Sequence, residues 1–229
     1  PVRVDAAAAT ASVALSPTAA WAGAPTGGGA GLIGVLGLVV DRKGVLWMLD
    51  WSSEDRAGRV VGWDTRTETL HRVVYLAPPV IGQNAFLNDL AVDRTHEAIY
   101  ITDTASPETS ALIVVDLTTG RARRVLEGSP FTTPEDIDMV IDGRVVTVDG
   151  EPARVGANPI TVDPANRWVY FGPMTGTSMY RVRTTELLDE DLGGAELEAR
   201  VERYGDKPIS DGSTVDGAGN VYITAITDD

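Results

Sequence analysis

The chain has no cysteine, so disulfides, thiolate metal sites and cysteine nucleophiles drop out, although this names no compartment. Histidine is nearly absent: His71 lies in a strand-like run and His96 in a turn, and both read as surface residues. There is no G-x-S-x-G, no H-E-x-x-H and no G-x-x-x-x-G-K-S/T, so nothing proposes a serine triad, a zinc protease or a P-loop. No run approaches the roughly 18 apolar residues that span a membrane. Basic residues are sparse, 19 Lys and Arg against 33 Asp and Glu for a net charge of −14. This argues against a nucleic-acid partner, which needs Lys and Arg clusters, and favours attraction of cationic ligands or metal ions.

What the chain does have is a repeat. Residues 36–51 read LGLVVDRKGVLWMLDW, 88–103 read NDLAVDRTHEAIYITD, 158–171 read NPITVDPANRWVYF and 211–225 read DGSTVDGAGNVYITA. Each is an apolar strand, an Asp-led turn and a second strand rich in β-branched and aromatic residues. The turn aspartates are Asp41, Asp93, Asp163 and Asp216, in steps of 52, 70 and 53 residues. Four short strands per unit of about 50 residues is the size of one β-propeller blade. Outer strands are predicted over 59–63 and 71–75, 111–116 and 122–126, and 178–183. The long middle step carries an extra hairpin within 135–154, with turns at Asp142-Gly143 and Asp149-Gly150. A helix is predicted over 186–204, where Leu197 and Val201 stand four apart. The fold class is therefore all-β, a propeller of four-stranded antiparallel blades, with about three and a half blades in 229 residues.

The domain reading places an Ala- and Gly-rich flexible segment at 1–34 and an incomplete propeller at 35–229. The Ala-rich stretch lacks the basic start of an export signal and is interrupted by Asp5 and Pro17. Residues 29–34 match G-x-G-x-x-G formally, but a loop precedes them and a strand follows, so no nucleotide cofactor is expected. A six-bladed ring needs on the order of 300 residues, so the chain reads as truncated.

Five residues before each turn aspartate stand Leu36, Asn88, Asn158 and Asp211. Equivalent positions of successive blades converge on the propeller axis. Asn88, Asn158 and Asp211 are thus candidate ligands for a hard cation such as Ca²⁺, or hydrogen-bonding groups for a polar ligand. Asp89 adjoins them as a base or further ligand, and Phe171 is added as an aromatic wall. Asx residues also open strands and turns simply by capping backbone N–H groups, and both readings stand.

The segments LNDLAVD with IYITD (87–103), ALIVVDLTTGRARRVL (111–126), GANPITVDPANRWVYFGPMTGTSMYRV (156–182) and KPISDGSTVDGAGNVYIT (207–224) together resemble the Yellow/major royal jelly protein family in its bacterial form. That resemblance, over roughly 35–224, implies a six-bladed propeller, usually secreted or periplasmic, with a ligand pocket at one end of the axial channel; some insect members bind biogenic amines. The blade openings are more distantly similar to the senescence-marker/gluconolactonase propellers. Those hold a divalent metal with one Glu, two Asn and one Asp and hydrolyse lactones. Asn88, Asn158 and Asp211 match the last three, but Leu36 stands where the Glu would be. Asp50 and Glu54, in the same repeat, are expected at the far end of its strand. Three functions follow: a small-molecule-binding propeller, a metal-dependent lactonase-type hydrolase, or a fragment inactive on its own.

Overall fold

The computed structural model describes residues 32, 34–51, 58–82, 84–105 and 107–227, and every element below belongs to the compact unit Ile33–Asp229. The segment 1–34, apart from Leu32 and Gly34, and Glu54 lie outside the described residues.

Three antiparallel four-stranded sheets follow the repeats. Blade 1 is β1 (Val35–Val40), β2 (Val45–Asp50), β3 (Gly58–Asp64) and β4 (Thr69–Leu76). Blade 2 is β5 (Leu87–Asp93), β6 (Ala98–Asp103), β7 (Ala111–Asp116) and β8 (Ala122–Val125). The crossover to blade 3 carries β9 (Val140–Ile141), β10 (Arg144–Val145), β11 (Thr147–Val148) and β12 (Glu151–Pro152), which form two tight hairpins. Their turn residues Asp142, Gly143, Asp149 and Gly150 all have φ between 51° and 87°, the double left-handed geometry that Asp-Gly supplies. Blade 3 is β13 (Ala157–Val162), β14 (Trp168–Pro173), β15 (Ser178–Arg183) and β16 (Glu202–Asp206), and a fourth sheet holds β17 (Ser213–Val215) and β18 (Val221–Ile223). The innermost strands β1, β5, β13 and β17 lie side by side in that order. This is a β-propeller.

The expected helix over 186–204 is corrected. Two short helices, α1 (Thr184–Leu188) and α2 (Gly194–Glu198), are followed by β16 as the outermost strand of blade 3. Gly193-Gly194 breaks the helical run, and Tyr204 pairs in the sheet. The apolar spacing still marked a buried face: Leu197 is 1 % exposed, with Val201 packed beside it.

Blades pack face to face, so central strands such as β6 and β7 are buried on both sides and read as nearly continuous apolar runs. Period-two alternation divides each between two cores. Ile99 and Ile101 of β6 join Trp47, Leu49 and Val60 of blade 1. Tyr100, one residue between them, joins Leu112, Ile160, Phe171 and Val182 in the core of blades 2 and 3.

Each turn aspartate accepts backbone N–H groups of its own turn, and three of the four also bind an aromatic side chain of the following strand. Asp41 Oδ1 accepts the N–H groups of Lys43 (2.8 Å) and Val45 (2.9 Å), and Oδ2 accepts Trp47 Nε1 (2.8 Å). Asp93 Oδ1 accepts Thr95 and His96 N–H, and Oδ2 meets Tyr100 Oη and His96 Nδ1. Asp216 repeats the arrangement with Ala218, Asn220 and Tyr222. Asp163 holds the N–H groups of Arg167 and Trp168. The carboxylate thus fixes the turn and, in those three, anchors the aromatic side chain.

Gly156, just before β13, allows blade 3 to approach blade 2 closely. A Cβ there would lie 1.8 Å from Ser110 Oγ and 2.9 Å from the Thr132 carbonyl. Gly156→Ala is expected to destabilise the fold by about 2 kcal/mol, read as a fall of several degrees in thermal midpoint. An unchanged melt would show that blades 2 and 3 are not packed as described.

Candidate functional site

The predicted positions share one backbone irregularity. In blade 1, Val35 pairs with Asp50 and Leu38 with Met48. In blade 2, Leu87 pairs with Asp103 and Leu90 with Ile101. In blade 3, Ala157 pairs with Pro173 and Ile160 with Phe171. Each inner strand therefore has one extra residue, a β-bulge, and the bulged pairs are 36–37, 88–89 and 158–159. A bulge re-aims side chains and leaves backbone groups off the ladder, so Leu36, Asn88 and Asn158 leave the alternating pattern at the same level of three successive blades.

Three of the expected residues come together. Asn158 is buried, and its Nδ2 donates to Asp211 Oδ1 at 2.8 Å, with Met174 Sδ at 3.5 Å on the same nitrogen. Asp89 feels the charge of Asp211. Burial first, and Asp211 in addition, push the Asp89 carboxyl up to about 6, against a hydrogen bond from Leu90 N–H that lowers it. Asn88 is half-buried on the same bulge as Asp89, and its carbonyl and the Asp89 Cα lie within 3.0 Å of where a Cβ on Gly37 would be. Phe171 is not brought to the site. It is fully buried between blades 2 and 3, where Tyr180 stacks at 6.3 Å. Only the innermost strand of a blade faces the axis; β14, one strand spacing out, directs its side chains between blades.

A cavity of about 400 Å³ runs between the inner strands, lined by Leu38, Val40, Asp89, Ile160, Val162 and Thr214 among others. Of the expected site residues, Asp89 lines it. Leu36, Leu38 and Val40 form an exposed apolar stripe along β1, at 49 %, 60 % and 60 % exposure. At the opposite end the turns are tied across blades: Arg42 donates to the Pro164 carbonyl, Arg94 pairs with Asp41 at 3.3 Å, and Thr95 Oγ1 donates to Asn166 Oδ1 at 3.0 Å.

As a divalent-metal centre the donor set does not fit. Leu36 offers no oxygen. Asp50 lies at the same end as Leu36, contrary to expectation, because it pairs with Val35. Its carboxylate is already engaged by Gly34 N–H at 2.9 Å and the buried Arg59 at 2.6 Å. Asn158 turns its Nδ2, not its oxygen, toward Asp211. Among the described residues no group of three or more His, Asp or Glu is placed to hold a metal ion.

The model of the major royal jelly protein family matches residues 33–229. The chain belongs to the major royal jelly protein family. Among solved structures it is similar to a luciferin-regenerating enzyme (12 % identity, TM-score 0.42, covering 82 % of this chain and 53 % of that one). It is also similar to a functionally unknown protein from Desulfotomaculum acetoxidans (11 %, TM-score 0.49, 85 % and 50 %). A calcium-binding protein, regucalcin, from Agrobacterium tumefaciens follows (16 %, TM-score 0.33, 84 % and 67 %). This royal jelly family chain spans about half the length of the first two. No curated protein matches it significantly.

Sequence reasoning missed Thr102. This buried hydroxyl of β6 accepts Asp89 N–H at 3.2 Å and donates to the Asn158 carbonyl at 3.0 Å, pinning the bulge of blade 2 to that of blade 3. The signal was present as YIT at 100–102 and again at 222–224. Thr224 Oγ1 takes the matching N–H, that of Gly212, at 3.0 Å.

Because the folded-state pKa of Asp89 is raised from 3.8 to about 6, its contribution to stability is fully present below pH 3.8 and lost as pH rises through about 6. Asp89→Asn should therefore stabilise the fold at pH 7.5, by on the order of 2 kcal/mol, and change little at pH 3.5. Thermal melts at the two pH values check this, and an equal effect at both would rule out the carboxyl as the cause.

Proposed function

We propose that this family member is a small-molecule-binding propeller whose polar site, formed by Asn88, Asp89, Asn158 and Asp211 at one end of the axial channel, receives a ligand with a protonated amine or similar cationic head. The observation that carries the reading is the chain of contacts that gathers two carboxylates around Asn158: its Nδ2 donates to Asp211 at 2.8 Å, and its carbonyl is linked through Thr102 to the Asp89 N–H. The buried ion pairs Asp50–Arg59 and Asp103–Arg124, at the same end of their blades, are formed by other carboxylates. Two carboxylates, Asp89 half-buried and Asp211 exposed, favour an incoming positive charge, and Asn158 adds a polar group already hydrogen-bonded to Asp211. The overall charge of −14 favours encounter with cations at low ionic strength.

The lactonase-type reading requires a metal to polarise the ester carbonyl, and Leu36 together with the engaged Asp50 weighs against it. Ca²⁺ remains the natural competitor ligand to include in any test. Export to a secreted or periplasmic location is part of the same proposal, on family grounds.

Calorimetric titration with tyramine, with its neutral analogue 4-ethylphenol and with CaCl₂ after chelator treatment separates these readings. The amine is expected to bind, the neutral analogue to bind at least tenfold more weakly, and Asp211→Asn to weaken the amine about tenfold, which is about 1.4 kcal/mol. Equal binding of amine and neutral analogue sinks the cationic-head reading. Micromolar Ca²⁺ binding lost in Asp211→Asn would restore the metal site in its place.

A further inference from the structure

Lys207 directly follows β16 and is 5 % exposed. Its Nζ donates to the carbonyls of Gly176 (2.8 Å), Pro208 (3.1 Å) and Met174 (3.3 Å). Three carbonyl oxygens around one ammonium make a cation cage. Its origin is visible by comparison with the other blades. The residue opposite the first position of the inner strand is Asp50 in blade 1 and Asp103 in blade 2, and each holds a buried arginine, Arg59 and Arg124. In blade 3 the same register position is Pro173, opposite Ala157. Proline offers no carboxylate, so the buried cation of blade 3 is met by backbone oxygens.

The cage is tied to the polar site through two neighbours. The Met174 carbonyl that accepts Lys207 also accepts Ser210 N–H at 3.3 Å, and Ser210 immediately precedes Asp211. Met174 N–H donates to the Gly156 carbonyl at 2.8 Å, two residues before Asn158, and its sulfur rests on the Asn158 amide. One loop thus carries contacts to both members of the Asn158–Asp211 pair.

We infer that Lys207 is a positioning residue: its ammonium is the resident cation of a carbonyl cage that holds the 207–211 segment against the β14–β15 loop and thereby sets Asp211 against Asn158. The inference rests on the reading of that pair as part of the site, but it concerns the geometry of the pair and not its ligand. Burial lowers the Lys207 pKa to about 8, and the charge of Glu135 opposes the shift. The charged group that acts on it is Glu135 from the blade 2–3 crossover, engaged by Thr177 N–H and Oγ1; Asp206, its neighbour in sequence, is paired with Arg203. A neutral amine has two N–H donors for three carbonyls, so the cage loosens as pH rises through about 8.

The test follows the Asn158 side-chain amide and the Ser210 backbone amide by ¹⁵N NMR on the full chain. In the wild type at pH 7 the Asn158 Nδ2 protons are expected at hydrogen-bonded shifts and the Ser210 amide protected from exchange. Lys207→Ala should move Asn158 to solvent-like shifts and speed Ser210 exchange at least tenfold. Propylammonium chloride should restore both signals, while KCl at equal ionic strength should not. Where Lys207→Ala does not fold, the wild type serves: its Asn158 signal should change with a midpoint near pH 8. Unchanged signals in Lys207→Ala, no rescue by propylammonium, a flat titration, or a midpoint near 6 that reports Asp89 would each overturn the inference. Absent tyramine binding with the NMR signature intact would instead count against the ligand reading and leave the role of Lys207 standing.

Discussion

The carboxylate at the head of each β-turn is the constraint on which the architecture depends. By accepting two backbone N–H groups it fixes where the first strand of a blade stops and the second starts, and so fixes their register. In three of the four sheets the same carboxylate also holds a Trp or Tyr of the second strand, seen in Asp41–Trp47, Asp93–Tyr100 and Asp216–Tyr222. With the turn end fixed, any extra residue in the inner strand is forced to the other end. That is where the bulges lie, at 36–37, 88–89 and 158–159. The polar site is a consequence of turn chemistry one strand length away.

Much of this was legible in the sequence because it repeats. The aspartates share one register, and three of the four positions five residues before them are Asn88, Asn158 and Asp211, of which Asn158 and Asp211 hydrogen-bond each other. What was not legible depends on three-dimensional neighbours. Phe171 belongs to a strand whose side chains point between blades, which no linear spacing reveals. Asp50 was expected far from Leu36 because antiparallel pairing, which returns the chain to its starting end, was not followed through. The predicted helix over 186–204 had the right buried face at Leu197 but ignored Gly193-Gly194 and the need of blade 3 for a fourth strand. Thr102 and Lys207 act through backbone carbonyls, and residue identity alone does not announce such contacts.

Membership of the major royal jelly protein family accords with the propeller. At the site end of the blades buried charge is balanced in two ways: blades 1 and 2 use an Asp–Arg pair, and blade 3 uses a lysine among carbonyls. Asp89 is a half-buried carboxylate with the exposed Asp211 as a like charge nearby. Charging the half-buried Asp89 costs stability, and the surrounding scaffold offsets that cost with well-packed cores on either side of blade 2.

The apolar stripe of β1 gives the channel two unlike walls. Leu38 and Val40 line a cavity that Asp89 also lines, and water binds a carboxylate more strongly than it binds leucine or valine. Wetting across the channel is therefore lopsided. The inner strand of the first blade, where the polar pattern of the repeat fails, thus gives the cavity an asymmetry that a ring of identical polar groups would lack.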